Sequence, residues 1–175
     1  MIKNPKIRFI TTTALLLALT VASQTAFRGI GQWVVGPLVN LFLIVSVMLE
    51  GFFSGAVIAL FAPVIALIQS QLPLPQMLFV VALGNLAIVS VYYFISVKFK
   101  FSMILSALIG SFLKFGVMYL GVHYIIIPFF AEGKEKLSVA LSTSFGVVQF
   151  FTALIGSLLA ILLIPALKTA LNKKG

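Results

Sequence analysis

The sequence predicts an all-α integral membrane protein with six transmembrane helices and both termini on the cytoplasmic side. Three observations predict it. Of 175 residues, 62% are hydrophobic and only 9% are charged, whereas a soluble domain carries about 25% charged residues. Mean hydropathy is +1.23. The apolar residues also fall into six runs broken by short polar or charged turns, each near the length of about 20 residues that crosses a bilayer.

The first run covers 9–27 and follows a basic start, Lys3, Lys6 and Arg8. The second covers 34–49 and stops at Glu50-Gly51. The third covers 52–68 and ends at Gln69-Ser70-Gln71. Runs two and three are short and share one turn, which predicts a packed or tilted pair. The fourth, 77–97, is closed by Lys98 and Lys100. The fifth, 101–122, frays towards Pro128, and the sixth, 139–165, precedes Lys168, Lys173 and Lys174. The longer polar loops are 24–33 and 131–137. No linker, charge block or convincing internal repeat divides the chain, so residues 1–175 are expected to form a single membrane domain. The first run resembles a signal peptide, but five more spans follow it and cleavage is not expected.

Orientation follows from the loop charges. With the N-terminus inside, the inner side holds Lys3, Lys6, Arg8, Lys98, Lys100, Lys168, Lys173 and Lys174, and the outer side holds only Arg28, Lys134 and Lys136. The net charge of +9 therefore reads as topology and not as a nucleic-acid surface. The residue inventory excludes much chemistry. There is no Cys, no Asp, one His (His123) and three acids, Glu50, Glu132 and Glu135. No disulfide framework or Cys-based metal site can form, a catalytic triad lacks its Asp, and a paired-carboxylate site is not expected. No metal or cofactor is expected. Proton-coupled transport normally uses intramembrane carboxylates, and Glu50 lies at the cytoplasmic turn, where it is expected to face water or a nearby Lys or Arg.

Small residues mark helix faces that can approach a neighbour closely. In the first span Ala14, Ala18 and Ala22 recur every four residues and share one face. Ser102, Ser106, Gly110 and Lys114 form a similar ladder on the fifth span, and Gln149, Thr152, Gly156 and Ala160 a stripe on the sixth. By itself such spacing fits packing within the chain as well as docking to a partner.

The stretch Thr11-Thr12-Thr13-Ala14-Leu15-Leu16-Leu17-Ala18-Leu19 resembles the opening helix of the S components of energy-coupling factor (ECF) transporters. The Ala-x-x-x-Ala motif of that helix is matched by Ala14 and Ala18. The Gly36-Pro37 entry to the second span and the Glu50-Gly51 turn are also family-like. Length, span count and topology fit along the whole chain, while the specific motif covers the first helix only. The resemblance implies an S-component-like bundle in a prokaryotic plasma membrane, binding a vitamin or similar micronutrient. It implies a partner T component, docked on the alanine face, and two cytoplasmic ATPase subunits. It also implies a first outer loop that acts as a lid, which adds Arg28, Gln32 and Trp33 to the candidate site.

Polar residues at membrane depth point independently to a pocket. Lys114 lies 14 residues after Lys100, or about 21 Å along a helix, in the outer half of the bilayer. Nine residues separate it from His123, about 13 Å, which is too far for full snorkelling to the outer surface. A buried ammonium needs a partner, and no acid lies in the outer half of any span. The expectation is that Lys114 has no protein counter-ion and meets an anionic or carbonyl-bearing ligand. The alternative is an ammonium satisfied by carbonyls and water. Asn85 and Gln149 fall at a similar depth, and each alone reads more readily as an interhelical hydrogen bond. Together the three resemble the few orienting groups of an apolar pocket, with Tyr119, Tyr124, Phe115 and Phe150 as candidate walls. Trp33 also fits an interfacial anchor, and His123 lies half a turn around the fifth helix from Lys114.

The expected solute is thus a small anionic or aromatic molecule, and cations are disfavoured. Two other functions remain open at this level: a stand-alone facilitator or secondary transporter, and a non-catalytic membrane assembly subunit.

Overall fold

The computed structural model describes residues 4–172, which are all-helical apart from turns. Lys3, Lys173 and Lys174, counted above in the charge asymmetry, lie outside the described residues. Helix α1 (Pro5–Ala26) starts at Asn4, whose side chain accepts from the Lys6 N–H at 3.0 Å, and Pro5 fills the first turn, where its missing N–H costs nothing. Helix α2 (Gln32–Glu50) and helix α3 (Phe52–Ile68) are joined by Gly51 alone. Gly51 has φ +88°, a conformation that strains any residue with a Cβ. Helix α4 (Met77–Tyr92) runs on through a π-helical turn, Tyr93–Lys98. Helix α5 (Met103–Leu120) is capped by the Ser102 hydroxyl and continues through a second π-helical turn, Gly121–Ile126, into α6 (Ile127–Phe130). Helix α7 (Glu135–Phe145) and helix α8 (Val147–Asn172) follow.

Five of the resulting helices are long and apolar enough to cross a membrane, and α3, with 17 residues, is a shorter apolar one. The protein is therefore a multi-pass membrane bundle, as the six runs imply. Two boundaries differ from the sequence reading. The fifth run extends to Phe130, because the π turn and Pro128 at the start of α6 carry the helix past the point where hydropathy weakens. The sixth run is not one helix. It breaks at Gly146, whose φ −90° and ψ −127° leave the helical region. The break leaves terminal carbonyls of α7 without intrahelical donors, and the Gln149 side chain satisfies one of them by donating Nε2 to Ser144 O at 3.0 Å.

Packing is tightest where small residues meet. The most extensive helix contact is α2 on α8, with Gly36 against Thr152 and Gly156 against Pro37 and Asn40. The stripe on α8 thus turns inward, with Gln149, Thr152, Gly156 and Ala160 all buried. The α5 ladder does the same beyond its exposed cap: Ser106, Gly110 and Lys114 are buried, and Gly110 meets Ile88 of α4. One apolar cluster forms around α2, with Leu43, Ile44 and Val47 against Ile58 and Ile88. A second is built on Met77, Val80, Met118, Ile126 and Phe145.

The buried face of α1 is polar. Thr13 Oγ1 lies 2.8 Å from Ser54 Oγ of α3, and Gln24 Nε2 donates to Ala62 O at 3.2 Å. At the end where α1 begins, Arg8 Nε reaches Glu50 Oε1 at 3.0 Å. Glu50 therefore pairs with a basic residue, one of its two expected fates. Arg8 is half exposed, and such pairs contribute little. Arg8→Ala or Glu50→Ala is expected to lower stability by no more than about 1 kcal/mol. Thermal unfolding in detergent checks this, and a larger loss would show the pair to be a structural clasp.

Candidate functional site

The bundle end opposite the Arg8–Glu50 pair contains a cavity of about 300 Å³. Each wall has a local cause. The α1–α2 connection supplies Arg28 and Gly31 at the rim, and α2 begins at Gln32. Gly31, at φ +96°, lets the chain turn directly into that helix. The α3–α4 connection contributes Ser70, Gln71 and Pro73. Asn85, Lys114 and Met118 come from α4 and α5, and Ser144, Phe145 and Gln149 from the α7–α8 joint.

Lys114 is the electrostatic centre of this wall. Only 3% of it is exposed, and its Nζ donates to Asn40 Oδ1 at 2.7 Å and to Asn85 Oδ1 at 2.8 Å. An ammonium has three N–H donors, so one remains. Both carboxamides are held with their oxygens towards the lysine, because each donates its NH₂ elsewhere. Asn40 Nδ2 donates to Gly36 O at 2.9 Å, and Asn85 Nδ2 to Ala59 O at 3.4 Å. The Ala59 carbonyl is available because the residue four positions on is Pro63, which has no N–H to complete the helical bond. A proline in α3 thereby orients an asparagine in α4 towards a lysine in α5.

The sequence reading gives Lys114 no protein counter-ion, and its two hydrogen-bond partners do not supply one. Among the described residues no carboxylate reaches it, but two amide oxygens do, and both are neutral. The charge is hydrogen-bonded without being balanced. Asn40 is the participant that the sequence reading misses. Its signal is the one that marks Asn85, a carboxamide in the middle of an apolar run, four residues after Gly36 on the same helix face.

Of the candidate residues, the structure brings Lys114, Asn85, Gln149, Gln32 and Arg28 to the cavity wall. It does not bring Trp33 or Tyr119. Trp33 is exposed and leans on Phe151, with ring centroids 6.3 Å apart. It is the second residue of α2 and not part of a loop, so it points about 100° away from Gln32. Tyr119 is also exposed and stacks on His123 at 4.1 Å. Five residues from Lys114, it lies about 140° around the helix from it. Tyr124 is exposed, and neither Phe115 nor Phe150 lines the cavity. The aromatic wall expected from the sequence is reduced to Phe145. Gln24 and Gln71 join the lining instead, and Gln71 Nε2 donates to Gln24 O at 3.1 Å, tying the α3–α4 connection to the end of α1.

On the outside of the bundle, Ala14, Ala18 and Ala22 are all exposed, in line with Leu15 and Leu19. The small face of α1 is therefore left uncovered by the described residues.

No curated protein and no solved structure matches this chain. A family model described as ECF transporter, substrate-specific component, matches residues 8–168. That span runs from the basic start of α1 to Lys168 in α8, and includes the alanine face, the cavity and the Lys114 cluster. The chain belongs to this family, the substrate-specific membrane subunits of ECF transporters, which are transport subunits and not catalysts.

Proposed function

We propose that this subunit captures a vitamin or related small micronutrient from outside the cell in the cavity beside Lys114. The solute then passes inward when the subunit works with a T component and two cytoplasmic ATPase subunits in a prokaryotic plasma membrane. The observation that carries the reading is the cavity itself. It is rimmed by two interhelical connections and based on a buried, hydrogen-bonded cation whose charge no described residue neutralises. Buried cations without counter-charge are costly in a membrane and mark substrate sites. The loop charges support the orientation. Lys6, Arg8, Lys98, Lys100 and Lys168 lie away from the cavity end, and Arg28, Lys134 and Lys136 near it. The cavity then opens outside and both termini are cytoplasmic. Residues 1–175 act as a single membrane domain in this reading. Arg28 and Gln32 form the rim, and Gln149, Asn85 and Lys114 the inner contacts.

The exposed Ala14, Ala18 and Ala22 face supports docking to the T component, because small residues let two membrane helices approach closely. Bulky substitution tests it. Ala14→Trp with Ala18→Trp is expected to abolish co-purification with co-expressed T and ATPase subunits. Since both positions are exposed, the isolated subunit should keep its thermal midpoint. An intact complex would reject this docking face, and failure of the unmodified chain to co-purify would reject the partnership.

A further inference from the structure

Given a solute in this cavity, the walls restrict its chemistry. The lining contains two cations, Lys114 at the base and Arg28 at the rim, and no acid. Four glutamines line it (Gln24, Gln32, Gln71 and Gln149), with hydroxyls from Ser70 and Ser144. The apolar lining is mostly aliphatic, such as Val35, Val39 and Ala62, and its one aromatic ring is Phe145.

Four consequences follow. A cationic solute would meet only like charge and neutral amides. A flat heterocycle would have no pair of rings to lie between. One buried cation balances one negative charge, and its remaining N–H makes a charge-assisted hydrogen bond only when an anion arrives. The glutamines, which carry both donors and acceptors, match a solute body with hydroxyl or amide groups.

From these features we propose that the cavity selects a non-aromatic carboxylate carrying hydroxyl or amide groups, with its carboxylate received by Lys114. Asn40 and Asn85 are positioning residues: they hold the ammonium in place through bonds to neutral oxygens and leave its charge for the ligand. This assignment rests on the reading of the cavity as the substrate site.

The test is capture from a mixture. The full-length chain in mild detergent is incubated with an aqueous yeast metabolite extract, washed and denatured, and the released compounds are identified by mass spectrometry against empty micelles. The expected enriched compound is a carboxylic acid without an aromatic ring. Its capture should fall about tenfold or more in Lys114→Met, which removes a hydrogen bond to a charged group. Asn85→Asp provides a second variant that keeps the shape of the site. It places a carboxylate beside Lys114 and should block capture of the acid while the protein elutes as a folded species. Enrichment of an aromatic, cationic or uncharged compound would overturn the assignment and leave the substrate site standing. So would an acid retained equally by Asn85→Asp. If the wild-type chain retains nothing, the substrate site itself is rejected.

Discussion

Gly156→Val is expected to disrupt the native packing of α2 on α8. A Cβ at position 156 would stand 2.6 Å from Pro37 O, 2.7 Å from Asn40 Cβ and 3.1 Å from Leu41 N. Two of these obstacles are main-chain atoms and the third is a Cβ fixed to the main chain, so none can rotate away as the end of a side chain does. They also belong to the segment that presents Asn40 to Lys114, so strain at Gly156 reaches the cavity wall. Even Gly156→Ala should cost about 1–3 kcal/mol, the range for overpacking a filled interior, and Val should cost more. Two other glycines calibrate the scale. At Gly84 the added Cβ meets Met118 Sδ at 2.8 Å, the flexible end of a side chain that adapts readily, so Gly84→Ala should cost less than Gly156→Ala. At Gly116 nothing lies within 4 Å, and Ala there should be neutral or stabilising by up to about 1 kcal/mol through helix propensity. Thermal midpoints in one detergent rank the three. If Gly156→Ala proves as mild as Gly116→Ala, the close α2–α8 approach is not a determinant of the fold.

Asn85→Leu is expected to destabilise the protein by about 1.5–3 kcal/mol, the range for a hydrogen bond to a charged group. The loss has two parts. Lys114 keeps only Asn40 as a protein acceptor, and Ala59 O, already denied a helical partner by Pro63, loses the Asn85 amide as well. Removing one partner of a buried charged group is more damaging than removing all of them together. Adding Lys114→Met to Asn85→Leu should therefore recover part of the lost stability. Solute capture should stay abolished in the double variant. A double-mutant cycle by thermal unfolding reads this coupling. Strict additivity of the two substitutions would show that the bond between them contributes nothing. The contrast matters for function, because stability recovered without capture separates the structural role of the cluster from its role towards the solute.

How much of this was legible in the sequence depends on direction. Position along the helices was legible. A rise of about 1.5 Å per residue is a local property, so the depth of Lys114, Asn85 and Gln149 follows from counting, and all three reach the cavity. Spacing was legible too: the stripes of Ser106 and Gly110, and of Thr152 and Gly156, are buried together because residues four apart share a face. Rotation about the helix axes relative to neighbours was not. Tyr119 and Trp33 have suitable depth and chemistry but face outward. Asn40 was overlooked because its partner lies 74 residues away. The break at Gly146 was hidden inside a continuous apolar run, since hydropathy does not register a backbone turn.

By itself, then, the sequence determined a bundle of apolar helices, its loop-charge asymmetry, a lysine stranded at depth and an alanine face on α1. Only the tertiary structure decided which faces meet. It joined Asn40, Asn85 and Lys114 across three helices, left the alanine face uncovered, and reduced the expected aromatic wall to Phe145. The physical reason lies in the solvent. In water a helix shows its buried side by an apolar stripe. In lipid the outside is as apolar as the core, so hydropathy carries no contrast between them, and small-residue packing and polar bonds select the contacts instead.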